Sequence, residues 1–157
     1  MMAHKKVPTP AEALQKMGKY CAYQERSQYQ VRNKLYNIGV FGDDAEEIIS
    51  KLIQNDFINE ERFAKAYVSG KFRIKKWGRV KIKAGLSQHR ISDFCMKAGL
   101  KEIDEEEYLS ILKSLIKKKK SQLIKLNSYI REQKVAQFAI RKGFEPGMVW
   151  EILNDVK

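Results

Sequence analysis

Ile48-Ile49-Ser50-Lys51-Leu52-Ile53 sets two neighbouring apolar rows at helical spacing, and the reading of the fold turns on this stretch. Residues i, i+1, i+4 and i+5 share one helix face, so the segment offers a core a stripe two residues wide. The spacing returns at Cys95, Met96, Gly99 and Leu100, and again at Met148, Val149, Ile152 and Leu153. Upstream of each stripe lies a second set at spacing four: Val31, Leu35, Gly39; Ile82, Leu86, Arg90; Val135, Ala139, Gly143. Each unit opens with an amphipathic stretch, marked by Leu14, Met17 and Cys21, by Phe63, Tyr67 and Ile74, and by Tyr108, Leu112, Leu115 and Ile116. The stripes are 47 and 53 residues apart, close to the periods of stacked helical repeats. The pattern predicts an all-α fold, three tandem three-helix repeats forming an elongated, modular domain. The expected boundaries are a flexible N-terminal tail over 1–10 and repeats over 11–56, 57–103 and 104–157.

Start and stop signals fit those units. Ser27-x-x-Gln30 and Asp104-x-x-Glu107 have the form of capping boxes, Asp43 and Asp44 precede Ala45-Glu46-Glu47, Ser92 precedes the second stripe, and Pro146 suits a first helical position. Gly39 and Gly143 stand where a left-handed C-cap is wanted; the second unit breaks this rule, with Arg90 in the glycine's place. One stretch conflicts. Arg79-Val80-Lys81-Ile82-Lys83-Ala84 alternates polar and apolar, the signature of a half-exposed strand. The repeat register overrides it and predicts a helix, on which Arg79, Lys83 and Arg90 form a basic ridge beside Ile82 and Leu86.

With 31 basic and 19 acidic residues in 157, the net charge is +12, and it is segregated. Residues 11–54 are neutral. Residues 71–90 hold Lys71, Arg73, Lys75, Lys76, Arg79, Lys81, Lys83 and Arg90 with no acid. Residues 113–142 hold ten basic side chains, among them Lys117, Lys118, Lys119, Lys120, Arg131, Lys134, Arg141 and Lys142, against Glu132 alone. Segregated charge of this kind matches a phosphate backbone, where each neutralised phosphate releases counterions. Trp77 lies inside the first basic block, where an indole can stack on a base or serve as ordinary packing.

Other classes find no support. No apolar run reaches the ~18 residues of a membrane span, and the first ten residues lack the apolar core of a signal peptide. A cytoplasmic protein without membrane attachment is expected. Cys21 and Cys95 stand far apart, with only His4 and His89 as histidine ligands, so no zinc site or disulfide framework is expected, and both cysteines read as buried thiols. No phosphate-loop, dinucleotide or nucleophile-elbow motif occurs. His89 reads as a polar helix terminus, and the acids of 104–107 as partners of a helix dipole. No enzyme activity, cofactor or metal is expected.

Three segments resemble a known family. Asn59-Glu60-Glu61-Arg62-Phe63-Ala64-Lys65-Ala66-Tyr67-Val68 is similar to the D-x-R-F-A-x-x-Y-V element of RecX regulatory proteins. Ser27 to Leu35 resembles their S-x-x-x-[VL]-R-x-K-L segment, and Trp77 to Leu86 their [KW]-G-x-x-[RK]-I-x-x-x-L segment. The resemblance runs from about Ala11 to the C-terminus. Asn59, Gly85 and Arg90 depart from it, and the third unit matches by spacing and Gly143-Phe144 only. It implies a modular, elongated protein that lodges in the groove of the RecA nucleoprotein filament and lowers ATP hydrolysis, strand exchange and repressor self-cleavage; a monomer is expected. It also implies contact with single- or double-stranded DNA. The basic residues named above, with Trp77, are the candidate DNA and filament contacts. A second reading, from short helices separated by turns, is a freestanding DNA-binding regulator of helix-turn-helix type with a preferred duplex site.

Overall fold

The computed structural model describes residues 6–155, and among these it contains nine α-helices and no strand. The first three are α1 (Pro10–Tyr23), α2 (Gln28–Asn37) and α3 (Gly42–Gln54). Then come α4 (Glu60–Arg73), α5 (Arg79–Gln88), α6 (Asp93–Leu100), α7 (Glu105–Gln122), α8 (Ser128–Arg141) and α9 (Pro146–Asp155). The chain is all-α and built of three-helix repeats, as the stripes predict.

Helix ends are fixed by local chemistry. Ser27 caps α2 in a full capping box with Gln30, whereas Asp104 accepts from the Glu107 amide without the reciprocal bond. A further capping box, Thr9 with Glu12 around Pro10, opens α1 inside the segment expected as a tail. Of that segment, residues 1–5 lie outside those described. α3 starts at Gly42, ahead of its acids, with no side-chain cap. The left-handed stops form at Gly39 (φ 88°) and Gly143 (φ 101°) as expected, and the second unit, expected to break the rule, follows it through Arg90 at φ 57°.

Buried side chains form two clusters. α1 to α3 close around Met17, Val31, Leu35, Ile48, Ile49 and Leu52. α4 to α9 share a second core, continuous through Phe72, Leu86, Tyr108, Leu112, Phe144 and Leu153. The reason is visible at the start of α5. Its first-turn amides have no intrahelical acceptors, and the third repeat supplies them. The Gly78 N–H donates to the Lys142 carbonyl (2.9 Å) and the Val80 N–H to that of Gly143 (2.9 Å). The Arg79 N–H donates to the Tyr108 hydroxyl (3.1 Å). So close an approach excludes a side chain: a Cβ on Gly78 would lie 2.3 Å from the Gly143 carbonyl carbon.

The first repeat joins the second through polar contacts. Ser27, fully buried, bonds His89 Nδ1 at 2.9 Å. The Gln28 amide donates to Glu60 (3.2 Å) and Arg62 to Glu25 (2.6 Å). The Ser27 hydroxyl oxygen also accepts from the Gln30 amide, and which partner donates in the Ser27–His89 bond follows the tautomer of the imidazole.

Two expected faces differ. Ile74 is 78% exposed, since α4 ends at Arg73 and the chain turns away. Cys21 is buried, its thiol raised to about 11 by burial, while Cys95 is only half-buried against the second core.

Candidate nucleic-acid and filament interface

The end-to-end meeting of α5 and α8 brings the two basic blocks together. Lys142 donates from Nζ to the Lys75 carbonyl at 2.8 Å. Burial, then Lys81 and Lys75, hold its ammonium below the usual lysine range. Lys81 and Lys71 place their ammonium groups 4.3 and 4.8 Å from the centroid of Trp77. Residues 71, 75, 81 and 142 thus form one cluster of four cations, two of them over the indole of Trp77, at the junction of the second and third repeats. A lysine whose charged form is disfavoured by like charges gains most from an arriving anion. Trp77 is half-buried against the core, with two cations already over its ring.

The ridge expected on α5 does not form. The helix ends at Gln88, and Arg90 lies beyond it in a left-handed turn, its guanidinium 5.1 Å from the Tyr29 ring. Arg79 turns inward instead. It binds Glu145 at 2.9–3.0 Å and Glu105 at 2.5 Å, and lies 4.0 Å over the Tyr108 ring, with 19% of its side chain exposed. The Tyr108 hydroxyl donates to Glu145, and burial followed by that bond raises its pKa. The acids opposing Arg79 come from α7 and from the residue before α9, so sequence proximity could not pair them.

The remaining candidates divide. Lys76 and Lys83 are exposed, Lys76 in a left-handed turn with φ 58°. Arg73 bonds Ser69 (2.9 Å) and lies 3.6 Å from Glu107. On α7, Lys117 and Lys120 flank a cleft beside Ile116 and Ile152, Lys118 is exposed, and Lys119 covers the Phe138 ring at 4.8 Å. Arg131 reaches the carbonyls of Ile124 and Leu126, both at 3.4 Å. Lys134 and Arg141 are exposed on α8.

Beside the cluster, between the first and second repeats, lies a groove of about 470 Å³. Lys71 and Lys75 belong to both. Tyr67 and His89 form one wall, and burial first, then Lys71, holds His89 below its usual pKa. The groove was not legible in sequence, because its walls lie on α1–α2 and on α4–α5. Among the described residues no group of three or more His, Cys, Asp or Glu side chains is placed to hold a metal ion, and no helix is long and apolar enough to cross a membrane.

Two family models match the chain: the second three-helix domain of RecX over residues 59–100, and the third over residues 105–153. Together they take in more than half of it. The regulatory protein RecX of Lactobacillus johnsonii is 27% identical over 140 residues, covering 89% of this chain and 52% of its own length. That of Geobacillus kaustophilus is 26% identical over 144 residues, covering 92% and 54%. The chain spans about half the length of the curated relatives it matches. Among solved structures, RecX from Lactobacillus salivarius superposes with a TM-score of 0.82 at 25% identity, over 93% of this chain and 95% of that one. A second crystal structure of regulatory protein RecX gives 0.83 at 27%, over 93% and 71%.

Proposed function

The chain belongs to the RecX family, and from that premise we propose that it is a regulator that binds RecA nucleoprotein filaments and restrains ATP hydrolysis, strand exchange and co-protease activity. It acts by binding, with repeats taken as 11–56, 57–103 and 104–157. The observation that carries this reading is the cation cluster of Lys71, Lys75, Lys81 and Lys142, assembled from two repeats and bearing a lysine that gains from an anion. The exposed Lys76 and Lys83 extend it, and DNA phosphates of the filament are its counterpart. Arg79 is assigned to the fold, because its guanidinium is occupied by Glu145 and Glu105. The neutral first repeat is left for protein contact.

Added at stoichiometric amounts to RecA, single strands and ATP, the protein slows hydrolysis; an unchanged rate overturns the reading. Reversing Lys75, Lys76 and Lys81 to Glu removes up to three phosphate contacts. The slope of log affinity against log salt for single strands should then become shallower by about 2, at ~0.7 per contact. The helix-turn-helix alternative instead predicts one preferred duplex sequence, bound without RecA.

A further inference from the structure

The groove between the first and second repeats holds features that the fold does not use. Its floor is Ala66 and Gly70, one helical turn apart on α4. A glycine inside a helix is destabilising relative to alanine, and it is kept where something approaches closely. Within this chain the other glycines of the second repeat's helices have such a neighbour. A Cβ on Gly85 would strike the Tyr67 hydroxyl at 1.9 Å, and one on Gly99 would meet the Ala64 carbonyl oxygen at 2.9 Å. A Cβ on Gly70 meets nothing within 4 Å. The space above it is open.

Around that floor stand Tyr67 and His89 on one wall, Gln24, Glu25 and Gln30 on the other, and Lys71 and Lys75 at the end shared with the cation cluster. Glu25 keeps one carboxylate oxygen, Oε2, buried with no hydrogen-bond partner, while Oε1 accepts from Arg62, which offsets its charge. His89 is held by Ser27 through Nδ1, which leaves its other ring nitrogen, Nε2, to donate or accept according to tautomer. An aromatic wall, a histidine ring nitrogen and a flat floor beside two ammonium groups suit one ligand class, a nucleobase joined to a phosphate backbone. The volume falls in the range of about 300–1,000 Å³ of small-ligand sites.

We propose that this groove takes an unstacked base of a single strand whose phosphates lie on Lys71 and Lys75. The inference rests on the reading of the cation cluster as a nucleic-acid surface and adds to it a site that distinguishes a base from bare backbone. Trp77 is the poorer candidate, with two ammonium groups over its ring at 4.3 and 4.8 Å against one, Lys71 at 5.4 Å, over Tyr67.

The test uses the full chain without RecA, titrated with an oligodeoxyadenylate and with an abasic oligomer of equal length at the same salt. The oligoadenylate should bind roughly 5-fold to 150-fold more tightly, the range that stacking of one base spans. Gly70→Leu and Ala66→Trp fill the groove from an accessible helix face. Each should bring the oligoadenylate down to the abasic affinity and leave the abasic affinity unchanged. Equal affinity of the two oligomers for the unaltered protein overturns the base site while leaving the cation cluster intact. A preference that survives both substitutions also overturns it, and one lost on Trp77→Leu relocates the base to the indole. Failure of both oligomers to bind overturns both the base site and the reading beneath it.

Discussion

His89 caps the end of α5 and also closes the joint with the first repeat. Its imidazole bonds Ser27 and lies among the rings of Tyr29, Phe63 and Tyr67, at centroid distances of 6.2, 5.0 and 5.6 Å. Burial, then Lys71, lowers its pKa from 6.5. Above pH 6.5 the residue is neutral in both folded and unfolded chains and stability does not depend on it. As pH falls below 6.5 the unfolded chain takes up the proton first, so stability declines until the folded-state pKa is passed. Urea denaturation between pH 7.5 and 5 should show this decline, and His89→Gln should flatten it; a variant that parallels the unaltered protein refutes the role. The sequence placed His89 at a helix end and did so correctly. It could not supply Ser27, 62 residues away, nor turn Arg79 inward, because Glu145 is 66 residues distant. Residue types specify what bonds are possible, and only the fold brings the partners within reach.

α5 is the element on which local and global signals disagree. Its alternation of polar and apolar residues from Arg79 to Ala84 suits a strand, yet it folds as a helix that buries Ile82 and Leu86 and leaves Val80 53% exposed. The decision is made at its N-terminus, where third-repeat oxygens take the donors that a strand would direct sideways. Gly78→Ala drives a methyl group into the Gly143 peptide, with contacts of 2.3–2.4 Å to its atoms and to the Phe144 nitrogen. Overpacking of this kind costs about 1–3 kcal/mol. The substitution should lower the urea midpoint and also weaken single-strand binding, because it separates Lys142 from Lys75. A loss of stability with full binding would show that the cluster does not depend on this junction. The caps of α2 and α6, the Pro146 start of α9 and the left-handed stops at Gly39 and Gly143 were readable because they are local, whereas the stop at Arg90 lacks the glycine that signals one. The Thr9 box escaped because it falls in a Pro-rich opening that composition assigns to a tail.

Across the whole molecule the three repeats do not have equal standing. The first has its own core without a buried aromatic, whereas the second and third share one containing Phe63, Phe72, Tyr108 and Phe144. Aromatic side chains bury the largest areas and dominate core energetics. Native-state hydrogen exchange should therefore show amides of α1 to α3 opening at a lower free energy than those of α4, α7 and α8, as separate cooperative units. A single shared opening energy would contradict two cores. The stripe pattern revealed the number of repeats and left their pairing open. Pairing depends on the fit of Gly78 against Gly143 and of Tyr108 under Arg79, which no period in the sequence encodes.

The α5–α8 junction also orders events during synthesis. The acceptors for the first turn of α5 are the carbonyls of Lys142 and Gly143, so that turn stays uncapped until residues far downstream have left the ribosome. At translation rates of about 5–20 residues per second, the 65 residues from Gly78 to Gly143 take roughly 3–13 s to follow. The first repeat can close on its own core during that interval. The second waits for the third, and for those seconds the part of its hydrophobic face that the third repeat covers stays open.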